Sequence, residues 1–355
     1  MAFTPGFNVL EAQPLLAFCA QIEGTTPGLP PPPIPSNWSV VFDSQQFGPF
    51  DNRWQLWKNN TSGSKQYAVV IRGTVALTGS ELEDALAVMI PASGTVSALG
   101  YELSYSFAAD TQAAVHVGFA MGTFLTLLDP TVGILVNLVT HVPSGSDVFI
   151  TGHSQGAAMA TLVRSFLQYS SLLGKFGFTY NYKSYVFAQP KPGNDHYGDD
   201  YNAIVSNTGM GFTVNNDQDW VPQVPFTFEL LDDINKPNLV STGGLAAAAT
   251  SPEILAATEH LRKAQQQQQQ AARVRHEPTL QKLGAMLKQQ KYVQTRTAAD
   301  AGTTLKLLPT FNFTACGTPI TLQGKPGTNP QNPNDGWWQH HAPLYYELLT
   351  QQFPS

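Results

Sequence analysis

The chain has 355 residues, of which 12% are charged, about half the share of an average soluble protein, and 42% are apolar. A net charge of −6 with only 19 Lys and Arg argues against the basic stripe that a nucleic-acid binder needs. Its apolar runs stop short of the roughly 18–20 residues of a membrane span, and 29 Gly with 26 Pro exclude a coiled coil.

From the N-terminus, Asn8 is placed to cap a helix carrying Val9, Leu10, Leu15, Leu16 and Phe18 at helical spacing. Residues 30–33, all Pro, make a stiff connector. Strands are predicted at 38–42, 53–57 and 67–71. In the last, Ala68-Val69-Val70-Ile71 is continuously apolar, as in a strand buried on both faces. A helix over about 111–128 precedes a second such run, Val148-Phe149-Ile150-Thr151. A helix over 155–173 and strands at 184–188 and 212–215 follow. Buried strands alternating with helices predict a mostly parallel sheet with helices on both faces.

Between 245 and 299 Ala and Gln dominate. Ser251-Pro252-Glu253 opens a helix, and His276-Glu277-Pro278 divides it from a second one with Leu280, Leu283 and Leu287 on one face. This reads as a helical hairpin inserted into a single domain spanning 1–355. A second lid, an oligomer contact and a surface decoration are open roles for it. A strand near 303–308, a Gly/Pro/Asn-rich loop and a short helix close the chain. Cys19 and Cys316 are too few for a zinc site, and stand either as a disulfide or as two buried thiols. Residues 1–5 lack the basic and apolar regions of a signal peptide, while the low charge leans toward an extracellular setting.

The chemistry concentrates at Gly152-His153-Ser154-Gln155-Gly156, which follows one apolar run directly and opens a helical pattern. A nucleophile elbow needs this context: a buried strand, a sharp turn and a helix whose N-terminus favours negative charge beside the serine. Serine becomes a nucleophile only when a base takes its proton and a carboxylate orients that base. Downstream of Ser154, residues 212–222 offer Asp217 and Asp219 at a strand end, and residues 336–343 offer adjacent His340 and His341. Chain order leaves both choices open.

The chain resembles the class 3 lipases, the fungal-type triacylglycerol lipase family within the α/β-hydrolase fold. The resemblance is carried by Val70-Ile71-Arg72-Gly73-Thr74, Val115-His116-Val117-Gly118-Phe119, the Ser154 elbow, Gln189-Pro190-Lys191-Pro192-Gly193-Asn194 and Asp219-Trp220-Val221-Pro222. These pieces stand in family order over about residues 65–225. The resemblance implies Ser154 as nucleophile, Asp219 as acid and His341, with Tyr345 four positions on, as base. It also implies an oxyanion hole from the Thr74 backbone and hydroxyl and the Gln155 backbone N–H. Each such donor typically contributes about 10²–10³-fold.

Gln155 and Ala157 depart from the Leu and Gly frequent in the family. The resemblance further implies an ion pair of Arg72 with Asp84, and a lid over 78–110 whose apolar inner face covers the serine; a helix and loop fixed in the core is the alternative for that segment. Asn194, Asp195, Asp199 and Asp200 cluster oxygen ligands of the kind that hold calcium, but such a run reads more simply as a solvated loop, and no metal is assigned to it. The expected partner is an acyl ester, met at a lipid–water interface, and no cofactor, metal, nucleic acid or transmembrane segment is expected. The fold expected is thus an α/β-hydrolase with a helical hairpin between acid and base.

Overall fold

The extended backbone of Asn8 and its Oδ1, which accepts the Leu10 N–H at 3.0 Å, open helix α1 (Val9–Glu23). Strands β1 (Trp38–Asp43), β2 (Arg53–Asn59) and β3 (Gln66–Arg72) follow as an antiparallel meander. The computed structural model describes residues 3–49, 51–72, 88–98, 101–227, 252–288, 294–295, 306–308 and 310–354. Next come β4 (Met89–Pro91), β5 (Ser93–Ala98), β6 (Tyr101–Ser106) and β7 (Ala114–His116). Helices α2 (Val117–Leu128) and α3 (Ile134–His141) lead to β8 (Ser146–His153) and α4 (Gln155–Tyr169). The chain continues through α5 (Leu172–Lys175), β9 (Tyr180–Phe187), β10 (Gly193–Asn194), α6 (Asp195–Val205) and β11 (Gly211–Asn216). Helix α7 (Pro252–Leu287), β12 (Gln294–Thr295), β13 (Phe313–Thr314), β14 (Thr318–Leu322) and α8 (Ala342–Gln352) complete it.

The seven-stranded main sheet has the order β1-β2-β3-β8-β9-β11-β14. From β3 through β14 every neighbouring pair is parallel. Alternate side chains of each strand enter opposite cores, as a period of two requires. Val69, Ile71, Val148, Ile150 and Val186 join Phe119, Phe124 and Leu162 of α2 and α4. Ala68, Val70, Phe149, Tyr185 and Phe187 join Phe18 of α1 and Leu344 of α8 on the other face. That double cover is why the strand sequences read as unbroken apolar runs.

Two expectations change, one open choice is resolved, and one falls partly outside the described residues. The helix expected from 111 begins at Val117, because residues 114–116 form β7, which pairs with β4 and, through Val115, with β10. Cys19 and Cys316 are free buried thiols, in clusters on opposite faces of the sheet, so they do not pair. The insertion is not a hairpin over its described part: α7 is one helix of 36 residues running through Pro278. Burial of Leu280, Leu283 and Met286 in the main core offsets the roughly 3 kcal/mol that an interior Pro costs. The strand expected at 303–308 lies partly outside the described residues, with Leu308 bridging Met89 in the part that is described.

The lid expectation over 78–110 falls in part outside the described residues. Where it is described, the segment is built into the core. Residues 93–98 and 101–106 form the antiparallel β5–β6 hairpin, and Val96, Leu103, Tyr105 and Phe107 are buried. Tyr105 and Phe107 pack against Phe124 with ring centroids 4.9 and 5.4 Å apart. The insertion joins this hairpin, since β12 pairs with β6 through Gln294–Glu102 and Thr295–Tyr101. These apolar side chains are committed to the interior.

Candidate active site

β8 delivers Ser154 through a turn too tight for ordinary backbone. Ser154 adopts φ 59°, ψ −133°, in the left-handed half of conformational space, at a cost of about 1–3 kcal/mol. A Cβ on Gly152 would lie 2.3 Å from the Gly156 carbonyl oxygen, so strand end and helix start approach only because residue 152 is Gly. The Ser154 N–H donates to the Phe187 carbonyl of β9 at 3.0 Å, tying the turn to the neighbouring strand. Gln155 is the first residue of α4, whose N-terminal end faces the serine with a partial positive charge.

The acid side grows from β11. Past its end, the Asp219 N–H bonds back to the Asn216 carbonyl at 3.1 Å and turns a carboxylate inward that is only 2% exposed. Its Oδ1 accepts the Val221 N–H at 3.0 Å. Its Oδ2 accepts the Tyr345 hydroxyl at 2.7 Å and His340 Nδ1–H at 2.8 Å. Asp217, two residues earlier, is exposed and accepts the Gly324 N–H at 2.8 Å as a turn residue.

The structure places His340, not the expected His341, against the serine. His340 Nε2 stands 2.8 Å from Ser154 Oγ. Because the Asp219 carboxylate only accepts, Nδ1 carries the ring proton and Nε2 is left to accept from the serine hydroxyl. A one-turn 3₁₀ helix over Trp338–His340 aims His340 inward, and the chain then extends at His341 before α8 begins. Side chains on either side of such a junction point apart, and His341 faces outward to Asp335, with Nε2 2.9 Å from its Oδ2. Only one of the two imidazoles reaches Ser154.

Electrostatics fit this arrangement. Burial acts most strongly on Asp219 and opposes its charge. The His340 ring and the bonds from His340, Val221 and Tyr345 outweigh it, holding the carboxyl below its usual range. Burial is likewise the largest influence on His340 and keeps the imidazole below its ordinary value, against the pull of Asp219. The site thus holds a neutral base beside an ionised carboxylate.

Of the other expected residues, Thr74 and Asp84 lie outside the described residues. Arg72 is buried and donates to the Asp51 carbonyl at 2.9 Å. The Asn194–Asp200 stretch is not a loop: Asn194 Oδ1 accepts the Tyr197 N–H at 3.0 Å and caps α6. Asp200 in turn receives the Ala109 and Asp110 N–H groups and the Tyr169 hydroxyl.

Sequence reasoning missed three contributors. Tyr345 entered only as a spacing marker, yet it bonds the acid directly. Trp337 lies 5.6 Å, ring to ring, from His340 and packs on Trp220 at 4.9 Å. His153 was set aside as merely adjoining the serine, yet its ring lies 4.7 Å from that of His340. The paired Trp337-Trp338 beside the histidines was a signal that aromatic walls surround the base.

A strained serine at a strand-to-helix turn, bonded through an imidazole to a buried carboxylate, on a parallel sheet covered on both faces, defines a serine hydrolase of the α/β-hydrolase class. Residues 68–229, which carry both Ser154 and Asp219, match the family model for lipase (class 3). Among solved structures, the chain is similar to the triacylglyceride lipase of Rhizomucor miehei, at 19% identity, with 61% of this chain and 74% of that chain covered and a TM-score of 0.43. It is similar also to a lipase from Rhizopus microsporus var. chinensis, at 17% identity over 63% of this chain and 73% of that one, with a TM-score of 0.41. M37 lipase matches over 96% of this chain and 90% of its own, at 16% identity and a TM-score of 0.49.

Proposed function

We propose that the protein hydrolyses the carboxylic esters of acylglycerols through Ser154, His340 and Asp219. The observation that carries this reading is the unbroken chain of two 2.8 Å hydrogen bonds from Ser154 Oγ through His340 to Asp219. Ser154 Oγ attacks the ester carbonyl while His340 Nε2 takes its proton. Asp219 keeps the imidazole in the tautomer that leaves Nε2 free to do so and stabilises the imidazolium once it forms. His340 then protonates the departing alcohol. Water, deprotonated by the same nitrogen, releases the acid from the acyl-enzyme. The Gln155 main-chain N–H, at the positive end of α4, and Thr74 are the oxyanion donors that the family resemblance assigns.

A fluorophosphonate probe tests the nucleophile, and release of fatty acid from an emulsified medium-chain triacylglycerol tests the substrate. Both signals are expected for the parent and to vanish in Ser154→Ala. No labelling of the parent would end the reading.

One observation favours a second reading, an esterase of dissolved esters. The described part of the expected lid is fixed in the core, with Tyr105 and Phe107 against Phe124. Rates measured across the solubility limit of the substrate separate the two. A sharp rise when droplets form supports action at an interface. Saturation below the limit supports the esterase.

A further inference from the structure

Behind the Ser154–His340–Asp219 chain stands a second hydrogen-bonded pair that the reaction scheme leaves unused. His153 closes β8 directly before Ser154, and its side chain is 3% exposed. Its ring lies 4.7 Å from the His340 ring, tilted by 37°, and meets the Tyr345 ring edge-on at 5.6 Å. Nδ1–H donates to Glu23 Oε1 at 2.8 Å, while Nε2 is enclosed against the His340 main chain without a well-formed hydrogen bond. Glu23 is thus the partner that fixes the orientation of this ring. It is the last residue of α1, 130 positions upstream and outside the family-matched segment 68–229.

We propose that Glu23 and His153 form an auxiliary dyad that positions the His340 imidazole between Ser154 and Asp219. The proposal deepens the reading above and rests on His340 as the base. His340 is gripped at Nδ1 by Asp219, and that bond alone leaves the ring free to rock about its axis. His153 supplies a wall on one side, with Trp337 nearby at 5.6 Å. A wall made by a side chain that can itself rotate is only as firm as its anchor, and Glu23 is that anchor. Displacement of a reacting group by about 1 Å lowers turnover by up to about 10²-fold.

The pair also carries charge. Burial acts most strongly on His153 and opposes its protonation, but the Glu23 carboxylate prevails and raises the imidazole above its ordinary value. His340 lies below its ordinary value, so His153 is already protonated where His340 begins to titrate. A cation beside His340 keeps it neutral to lower pH. The other groups facing this pair are Asp219 beyond β11, Tyr345 on α8, Arg72 on β3 and Cys19 on α1. The Glu23 carboxylate itself raises the His340 pKa, but less than the His153 cation lowers it, so without Glu23 the buried His153 sheds its proton and the net movement of the acid limb of kcat/KM is to higher pH.

The test compares the parent with Glu23→Ala and Glu23→Gln on a dissolved short-chain ester, across pH, with Ser154→Ala as blank. Glu23→Ala is expected to lose about tenfold in kcat with KM unchanged, and to shift the acid limb upward. Glu23→Gln retains an acceptor for His153 Nδ1–H and is expected to recover most of kcat while keeping the shifted limb. A parent-like kcat and acid limb in Glu23→Ala overturns the proposal, whatever happens to thermal stability. A parent that turns over no more than the Ser154→Ala blank instead overturns the hydrolase reading, so the two failures are distinguishable.

Discussion

Tyr345 donates its hydroxyl to Asp219 Oδ2 at 2.7 Å, the same oxygen that receives His340 Nδ1–H at 2.8 Å. The tyrosine oxygen also accepts the Asn216 N–H at 3.0 Å, so it bridges the end of β11 to the acid it presents. Tyr345→Phe keeps the buried ring and removes only this bridge. The Asn216 N–H is then left unsatisfied, at a cost of about 1–3 kcal/mol in folding stability. Asp219 keeps His340, so kcat is expected to fall only severalfold. Urea unfolding and initial rates measure the two effects, and a variant as stable as the parent would show that the bridge contributes nothing.

The two adjacent histidines give the sharpest test of the site. His340→Ala removes the group that bonds Ser154 and is expected to lower kcat by about 10³-fold or more. His341→Ala removes a partly exposed pair with Asp335 and is expected to leave kcat within about twofold. His340 must be neutral to accept the serine proton, and burial holds its pKa below 6.5. Activity should therefore persist as pH falls through 6.5 and decline only below it. Near-normal turnover in His340→Ala would transfer the role to His341.

The elbow predicts its own intolerance. A Cβ at residue 152 would stand 2.3 Å from the Gly156 carbonyl oxygen and 2.9 Å from the Ala157 nitrogen, both backbone atoms. No side-chain rotation relieves that contact. Gly152→Ala is expected to lose about 3 kcal/mol or more of stability, or to push Ser154 out of line with His340. Thermal unfolding and fluorophosphonate labelling together distinguish the two routes, and a variant normal in both would contradict the geometry.

How much of this was legible depended on whether the signal was local. The strand–Ser154–helix elbow read directly, because its turn chemistry and both flanking patterns lie within about a dozen residues. So did α1 and the buried strands of the sheet, whereas Asp219 was separated from Asp217 only by the family resemblance carried by its Val221-Pro222. The His340–His341 choice was not legible, because it turns on which residue ends a one-turn helix, and a shift of one position reverses the answer. Counting four positions to Tyr345 pointed to His341, whereas the tyrosine serves Asp219 and takes no part in choosing the base. Continuity of α7 through Pro278 was hidden for a related reason: local propensity argued for a break, and long-range burial of Leu280 and Leu283 prevailed. The Glu23–His153 contact spans 130 positions and left no local trace.

Lys183 carries a prediction about how α1, the helix that ends in Glu23, is held to the sheet. Its side chain is 1% exposed, and the ammonium donates to the Thr4 and Gly6 carbonyls at 2.8 and 2.9 Å and to Glu11 Oε2 at 2.6 Å. The Tyr185 hydroxyl donates to that same carboxylate oxygen at 2.6 Å. Lys183→Met fits the volume but leaves two carbonyls without their donor and Glu11 without its counter-charge. The expected loss is about 3–5 kcal/mol, because breaking one half of a buried pair strands the other. Adding Glu11→Gln to Lys183→Met removes the stranded charge and is expected to restore part of that stability, an interaction readable from the four-variant cycle. If the two substitutions simply add, Glu11 and Lys183 do not act as a pair, and α1 is held by its apolar face alone.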